Sequence, residues 1–254
     1  MKNIVCIVQA RMTSTRLPNK VLLVLAGQPV LTQVFNQLSH SKLLTTTILA
    51  TSMDSCDDPL EDWATKNNKK YFRGSLENVL DRFFETAKEY NADVIVRITA
   101  DCPLIDPEIV DQCIDGFNNG DYDYYSNVNP PTFPDGLDTE VFSFAALEKA
   151  YSNAELKSEI EHVTPYIKNH PELFKIGNFY SEVNYEKLRW TLDNKEDYDF
   201  LSLIYKELFK PNSFISWKDV ISFLNQNINL QQINAHIERN EGFIKSLNED
   251  KKVK

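Results

Sequence analysis

The chain has 254 residues, 42% of them hydrophobic, and a formal net charge of −10. That is enough apolar material for one large α/β domain, the acidic balance speaks against nucleic acid as the main partner, and no apolar run approaches the roughly 18 residues that would cross a membrane. The four cysteines (Cys6, Cys56, Cys102, Cys113) form no close pairs and the four histidines are scattered, so neither a disulfide framework nor a zinc site is expected, and without a signal-peptide pattern a cytoplasmic protein with reduced thiols is.

Residues 3–8 (Asn-Ile-Val-Cys-Ile-Val) read as a parallel strand buried on both faces. The next stretch is Gln9-Ala-Arg-Met-Thr-Ser-Thr-Arg-Leu-Pro-Asn-Lys20. It holds Arg11, Arg16 and Lys20, the hydroxyls of Thr13, Ser14 and Thr15, and no acid. A loop leaving the carboxyl end of a first strand is where nucleotides dock in α/β sheets. Guanidinium forks, an ammonium and free backbone N–H groups suit a polyphosphate. Glycine is absent from this loop, so it is neither a Walker loop nor a dinucleotide fingerprint. Charge distribution agrees: residues 1–53 carry five Lys/Arg and no Asp/Glu, a local anion site on an acidic protein.

Helices are predicted over 29–39, 59–67, 78–90 and 107–117, alternating with strands over 46–51, 70–72 and 94–98. Asp57 or Asp58 can cap the second helix, and Asp106 the fourth, whose Pro107 suits a first turn. The order implies a doubly wound, mostly parallel sheet with right-handed crossovers. Arg73-Gly74-Ser75 opens the third helix, where its backbone can pack on a base or ribose and Arg73 or Arg82 can reach a phosphate or an acceptor anion. Thr99 and Asp101 follow the strand at 94–98, on the same edge as the loop at 9–20. Asp101 can hold Mg²⁺ against the phosphates, since magnesium takes one or two carboxylates and leaves its other positions to phosphate and water. Its alternative is a turn cap before Pro103.

The pattern loosens over 120–138, a small irregular β insertion. Further strands are predicted at 140–142, 174–179 and 189–192, and helices at 144–151, 159–169, 196–208, 217–226 and, more polar, 229–247. Arg97, Asp135, Asp138 and Glu140 are assigned to a sugar-like acceptor. His162 shares a helix face with Glu159 and faces the same acceptor. Asp193 ends the run Arg189-Trp-Thr-Leu-Asp193 and is the candidate second ligand of the ion, with capping of the helix that follows as its alternative. The reading is one domain over residues 1–247, with 248–254 left to fray.

These motifs resemble the cytidylyltransferase-like family that includes the spore coat polysaccharide biosynthesis protein F, and more distantly the CMP-Kdo and CMP-sialic acid synthetases. The resemblance rests on residues 9–20, on Pro134-Asp-Gly-Leu-Asp138-Thr-Glu140, on Glu161-His-Val-Thr-Pro-Tyr-Ile, and on the stretch from Ile237 to Asp250, for which no chemical task is apparent. It implies a nucleotide-diphospho-sugar transferase-like fold, a nucleoside triphosphate bound by residues 9–20, and Mg²⁺ held by Asp101 and Asp193. Asn78 stands where relatives often have Asp, and Asn194-Lys195 replaces their Thr-Pro, which leaves Asp193 itself available.

The function expected is Mg²⁺-dependent transfer of CMP from CTP to a sugar acid, sugar phosphate or small phosphorylated acceptor, releasing pyrophosphate, for surface polysaccharide or glycoconjugate synthesis. Arg11, Arg16 and Lys20 would act on the phosphates, and the backbone of Gln9 and Ala10 would lie near the base. A glycosyltransferase using a nucleotide sugar is the alternative; against it, Asp121-x-Asp123 is the nearest Asp-x-Asp and does not end a strand. A non-catalytic nucleotide-binding protein is a third reading. The sequence allows a homodimer and gives no interface.

Overall fold

β1 (Ile4–Gln9) is apolar on both sides because both are covered. Ile4, Cys6 and Val8 enter one core, Val5 and Ile7 the other. The computed structural model describes residues 2–253. After β1 come the short β2 (Val24–Leu25) and β3 (Gln28–Pro29), α1 (Val30–Leu38), β4 (Thr46–Ser52), α2 (Asp58–Lys66), β5 (Lys70–Gly74), α3 (Val79–Glu89), β6 (Val94–Thr99) and α4 (Pro107–Asn119). The chain continues through β7 (Tyr124–Ser126), β8 (Glu140–Ser143), α5 (Phe144–Asn153), α6 (Lys157–His162), α7 (Pro165–Asn169), β9 (Ile176–Asn178), α8 (Lys195–Leu208), α9 (Trp217–Gln226) and α10 (Glu241–Asn248).

Among the described residues the main sheet runs β5-β4-β1-β6-β8-β7-β9. β5, β4, β1 and β6 are parallel, β8 is antiparallel to β6 and β7, and β9 is parallel to β7. This is the expected α/β class: a mostly parallel sheet with helices on both faces and an antiparallel insertion. Winding goes from β1 outward to β5, then returns to the other side of β1 at β6. The crevice between the carboxyl ends of β1 and β6 is therefore the switch point where open α/β sheets bind ligands. Register puts Arg97 of β6 opposite Glu140 of β8, both on the face that also buries Ile95 and Phe142 against α3 and α5.

Local rules explain most boundaries. Asp106 caps α4 by accepting from the N–H groups of Glu108 and Ile109 at 2.8 and 3.2 Å. Asn78 caps α3, accepting from Asp81 N–H at 2.8 Å.

Four expectations differ. The helix foreseen over 159–169 is two helices, broken where Val163 takes φ 71°. Residues 189–192 form no strand: their backbone bonds to residue 135 instead, Trp190 N–H to Asp135 O at 2.7 Å, clear of the sheet. The frayed end foreseen from residue 248 is instead bonded as far as it is described. Lys157 N–H donates to Lys251 O at 3.0 Å and Val253 N–H to Glu155 O at 2.8 Å, while residue 254 lies outside the described residues. The helix expected over 229–247 is a 3₁₀ turn at Ile228–Gln232 and then α10.

Candidate active site

The loop after β1 is held from below. Asp57, fully buried, accepts from Met12 N–H at 2.7 Å and from Ser52 Oγ at 2.5 Å. The loop's polar side chains stay outside: Arg11, Thr13 and Arg16 are exposed and Ser14 half-buried. Arg11 makes no ion pair among the described residues. Ala10 N–H donates to Ala50 O and Gln9 O accepts from Ala100 N–H, so of the backbone assigned to a base the Ala10 carbonyl is left.

Lys20 gathers the two strand-end acids. Its Nζ lies 2.5 Å from Asp101 Oδ2 and 2.8 Å from Asp193 Oδ1. Burial works to lower the Lys20 pKa, and Asp101 and Asp193 outweigh it, so the ammonium is held above its usual value. Asp193 is pulled well below the carboxylate range: burial opposes the shift, but Lys20, then Arg16 and Arg189, override it. Arg16 reaches Asp193 at 3.0 Å on one side and Glu241 on the other.

Asp193 is free for this because another acid caps α8. Asn194 is the N-cap, and Asp197 reaches back to the N–H groups of Asp193 and Asn194, both at 2.9 Å. Asp101 likewise spends its carboxylate on Lys20; Asp101 O accepts from Leu192 N–H at 2.8 Å, which draws residues 189–193 alongside it. Gly136 permits the approach, for at φ 108° a Cβ there would sit 2.7 Å from the Trp190 carbonyl carbon. Two carboxylate oxygens converging on one cation are a donor set that Mg²⁺ accepts when phosphate and water complete its shell. No group of three or more metal-ligating acids, histidines or cysteines occurs among the described residues.

Behind these acids lies an ion-pair hub that sequence reasoning missed. Arg189 donates to Asp197 through Nε and Nη2 (2.9 and 3.0 Å), to Asp135 at 3.0 Å and to Asp193 at 2.8 Å. Asn234 adds a bond to Asp197 at 2.9 Å. Arg239 pairs with Asp138 and donates to Phe133 O. Burial, then the neighbouring Asp138, push Asp135 up to about 7 against the pull of Arg239 and Arg189. Asp138 is raised too, by burial against Arg239. Two of the three acids assigned to the acceptor, Asp135 and Asp138, are thus engaged by internal arginines.

Glu140 centres a second cluster. It is paired with Arg97 and with Lys168 (3.4 Å), and accepts from Tyr124 Oη and Thr164 Oγ1, both at 2.6 Å. Burial alone would raise this carboxyl; Lys168 and Arg97 instead hold it down at about 2. Arg97 Nε also donates to the Gln9 side chain at 3.2 Å. His162 feels the same charges: burial, then Arg97, lower it to about 4.

The other predicted residues have partners of their own. Arg73 donates to the carbonyls of Ser52 and Asp54 and pairs with Asp58 and Glu61 of α2. Gly74 O accepts from Met53 N–H, and Ser75 caps Asn78 N–H at 2.9 Å while its carbonyl accepts from Arg82 at 2.7 Å. Thr99 Oγ1 meets Cys102 Sγ at 3.2 Å. Arg82 is 2% exposed, with no carboxylate partner among the described residues and an unbonded Nε; burial, then repulsion from Arg11, lowers it to about 10.

The chain and its fold have known relatives. Residues 5–237 match the family model described as Cytidylyltransferase. The chain is 35% identical over 239 residues to the spore coat polysaccharide biosynthesis protein SpsF of Bacillus subtilis, covering 89% of this chain and 96% of that one. A cytidylyltransferase structure from Leptospira borgpetersenii superposes with TM-score 0.86 and 35% identity, over 91% of this chain and 98% of that one. A CMP:2-keto-3-deoxy-manno-octonic acid synthetase complexed with CTP shares the fold at TM-score 0.61 and 16% identity, over 81% and 99%.

Proposed function

The chain belongs to the cytidylyltransferase family, and on that premise we propose that it transfers CMP from CTP to a sugar acid, sugar phosphate or small phosphorylated acceptor, with release of pyrophosphate, in the synthesis of a surface polysaccharide or glycoconjugate. The observation that carries this reading is Lys20 between Asp101 and Asp193 at the switch point of the sheet. It is supported by the CTP bound in a protein of the same fold and by the polysaccharide role in the SpsF name.

Arg11, Arg16 and Lys20 would grip the triphosphate and stabilise the charge that grows on the departing pyrophosphate. Arg11 is already free, whereas Arg16 exchanges Glu241 for phosphate and Lys20 exchanges its two carboxylates. Asp101 and Asp193, released by Lys20, would hold Mg²⁺, which when bound neutralises phosphoryl charge. Arg97, Lys168 and His162 would orient the acceptor so that its oxygen attacks the α-phosphorus in line and the pyrophosphate leaves opposite. Positioning and charge neutralisation then supply the rate, with no covalent enzyme intermediate.

The test is thermal unfolding with Mg²⁺ and, separately, CTP, UTP, GTP, ATP and nucleotide sugars. At a hundred times its dissociation constant CTP stabilises by about 2.7 kcal/mol, about 5–10 °C for a chain this size. A shift confined to a nucleotide sugar would overturn the reading. Pyrophosphate release over an acceptor panel follows, in which Asp101→Asn lowers turnover well over tenfold while the fold persists; full activity in that variant would remove Asp101 from the site.

A further inference from the structure

The C-terminal stretch with no chemical task at the sequence level lies against the acceptor side. α10 packs on α6: the Phe243 ring meets His162 edge-on, centroids 5.0 Å apart, and Lys168 Nζ lies 5.9 Å from the centre of that ring. The segment is fastened at both ends, by Arg239–Asp138 and Arg16–Glu241 before and at the start of the helix, and after it by Asp250, which accepts from Ser158 N–H and Oγ at 3.0 and 2.7 Å.

Inside this contact Ser246, 5% exposed, bridges two residues of α6. Its Oγ lies 2.9 Å from Glu161 Oε2 and 3.0 Å from His162 Nε2. An ionised carboxylate has no proton to give, so the hydroxyl donates to Glu161 and only its lone pairs are left for the imidazole. Nε2 must then carry the proton. A neutral imidazole has one, so Nδ1 is the bare lone pair, and it has no partner among the described residues. Burial beside Arg97 and Lys168 keeps the ring neutral, its pKa near 4. The backbone is held as well. Val163, fully buried at φ 71° and ψ −56°, forms a γ-turn closed by Thr164 N–H to His162 O at 2.8 Å, a strained conformation that only a surrounding lock maintains. Thr164 Oγ1 on Glu140 supplies that lock.

We propose that Ser246 is a positioning residue for the acceptor: it fixes His162 as the Nε2–H tautomer so that Nδ1 accepts a hydrogen bond from an acceptor hydroxyl. The inference rests on the transferase reading for the identity of the acceptor, but not for the tautomer. α10 is thereby part of the acceptor site, and the ring's orientation is set from a segment some 80 residues away in sequence.

Long-range ¹H–¹⁵N imidazole spectra of the intact chain test it, with His162→Gln identifying the signals of His162 among four histidines. The wild type shows a single Nε2–H tautomer. Ser246→Ala gives a tautomer mixture with rapidly exchanging N–H, and Ser246→Thr, which keeps the hydroxyl, restores the wild-type pattern. With the acceptor that supports pyrophosphate release, Ser246→Ala raises the acceptor KM about tenfold, the worth of one hydrogen bond, and leaves the CTP KM unchanged. An Nδ1–H tautomer in the wild type, a wild-type pattern in Ser246→Ala, or an unmoved acceptor KM would each overturn the proposal. The spectra need no turnover, so failure of the transferase reading shows separately, as absent pyrophosphate release.

Discussion

Replacing Asp197 by Asn should be among the most damaging single changes outside the catalytic groups. The carboxylate is fully buried and accepts from Arg189 Nε and Nη2, from the N–H groups of Asp193 and Asn194, and from Asn234. Asn has nearly the same shape but no charge and one acceptor oxygen, and its amide would point donors at donors. Arg189 keeps Asp135 and Asp193, so its charge is not left bare. Removing one partner of a buried pair costs about 3–5 kcal/mol. At roughly 2–4 °C per kcal/mol for this length, Tm should fall by about 10 °C, read by circular dichroism and cross-checked by urea unfolding. Because Asp197 also caps α8 and steadies the residue before Asn194, kcat should fall in the part that stays folded. A Tm within about 2 °C of wild type would mean that Arg189 is held by Asp135 and Asp193 alone.

Glu140→Gln tests the second cluster through pH. Its folded pKa, about 2, lies below the ordinary value of about 4.3, so its contribution is present above that value and lost as pH falls through the folded one. The stability gap between wild type and Glu140→Gln should therefore be full at pH 6 and close between about pH 4 and 2; a gap independent of pH would contradict the ionised, ion-paired carboxylate. Gly136→Ala drives a Cβ into the backbone of Trp190 and Thr191 at 2.7 and 2.8 Å, which should cost more than about 1 kcal/mol and lower kcat by moving Asp193 relative to Asp101; unchanged Tm and kcat would show that the two segments separate freely. Glu241→Gln removes a half-exposed ion pair worth at most about 1 kcal/mol, so Tm should hardly move while the KM for CTP falls, because Arg16 then has one carboxylate, Asp193, to leave instead of two. A raised KM would make Glu241 a part of the nucleotide site.

Much of this architecture is legible locally. β1, β4 and β6 announce themselves by apolar runs because both sheet faces are covered. Asp106 announces its helix because capping acts over two or three residues. Asp101 and Asp193 stand out by ending strand-like runs, and the fold brings both to one ammonium. What the sequence conceals is whatever depends on distant partners. Arg189, Asp197, Asn234 and Arg239 look like ordinary polar residues until residues 133–138, 189–197 and 234–239 are laid side by side. The run 189–192 alternates like a strand, yet its backbone partner is the loop at residue 135. Val163 looks like a helix residue; the break there is signalled locally by Pro165, which opens α7, whereas the bond from Thr164 to Glu140 joins residues 24 apart and no local rule encodes it.

Arg16 and Glu241 are 225 residues apart in sequence, which sets a timetable for the nascent chain. At about 5–20 residues per second, the loop after β1 waits roughly 10–45 seconds for α10 to be synthesised. Every strand of the sheet, through β9, is made before then. Every strand is thus made while the acceptor side is still open, and α10, which closes it, is synthesised after all of them. A chain ending between α9 and residue 241 would thus carry every strand of the sheet, Asp101 and Asp193, and lack the helix that completes the acceptor side.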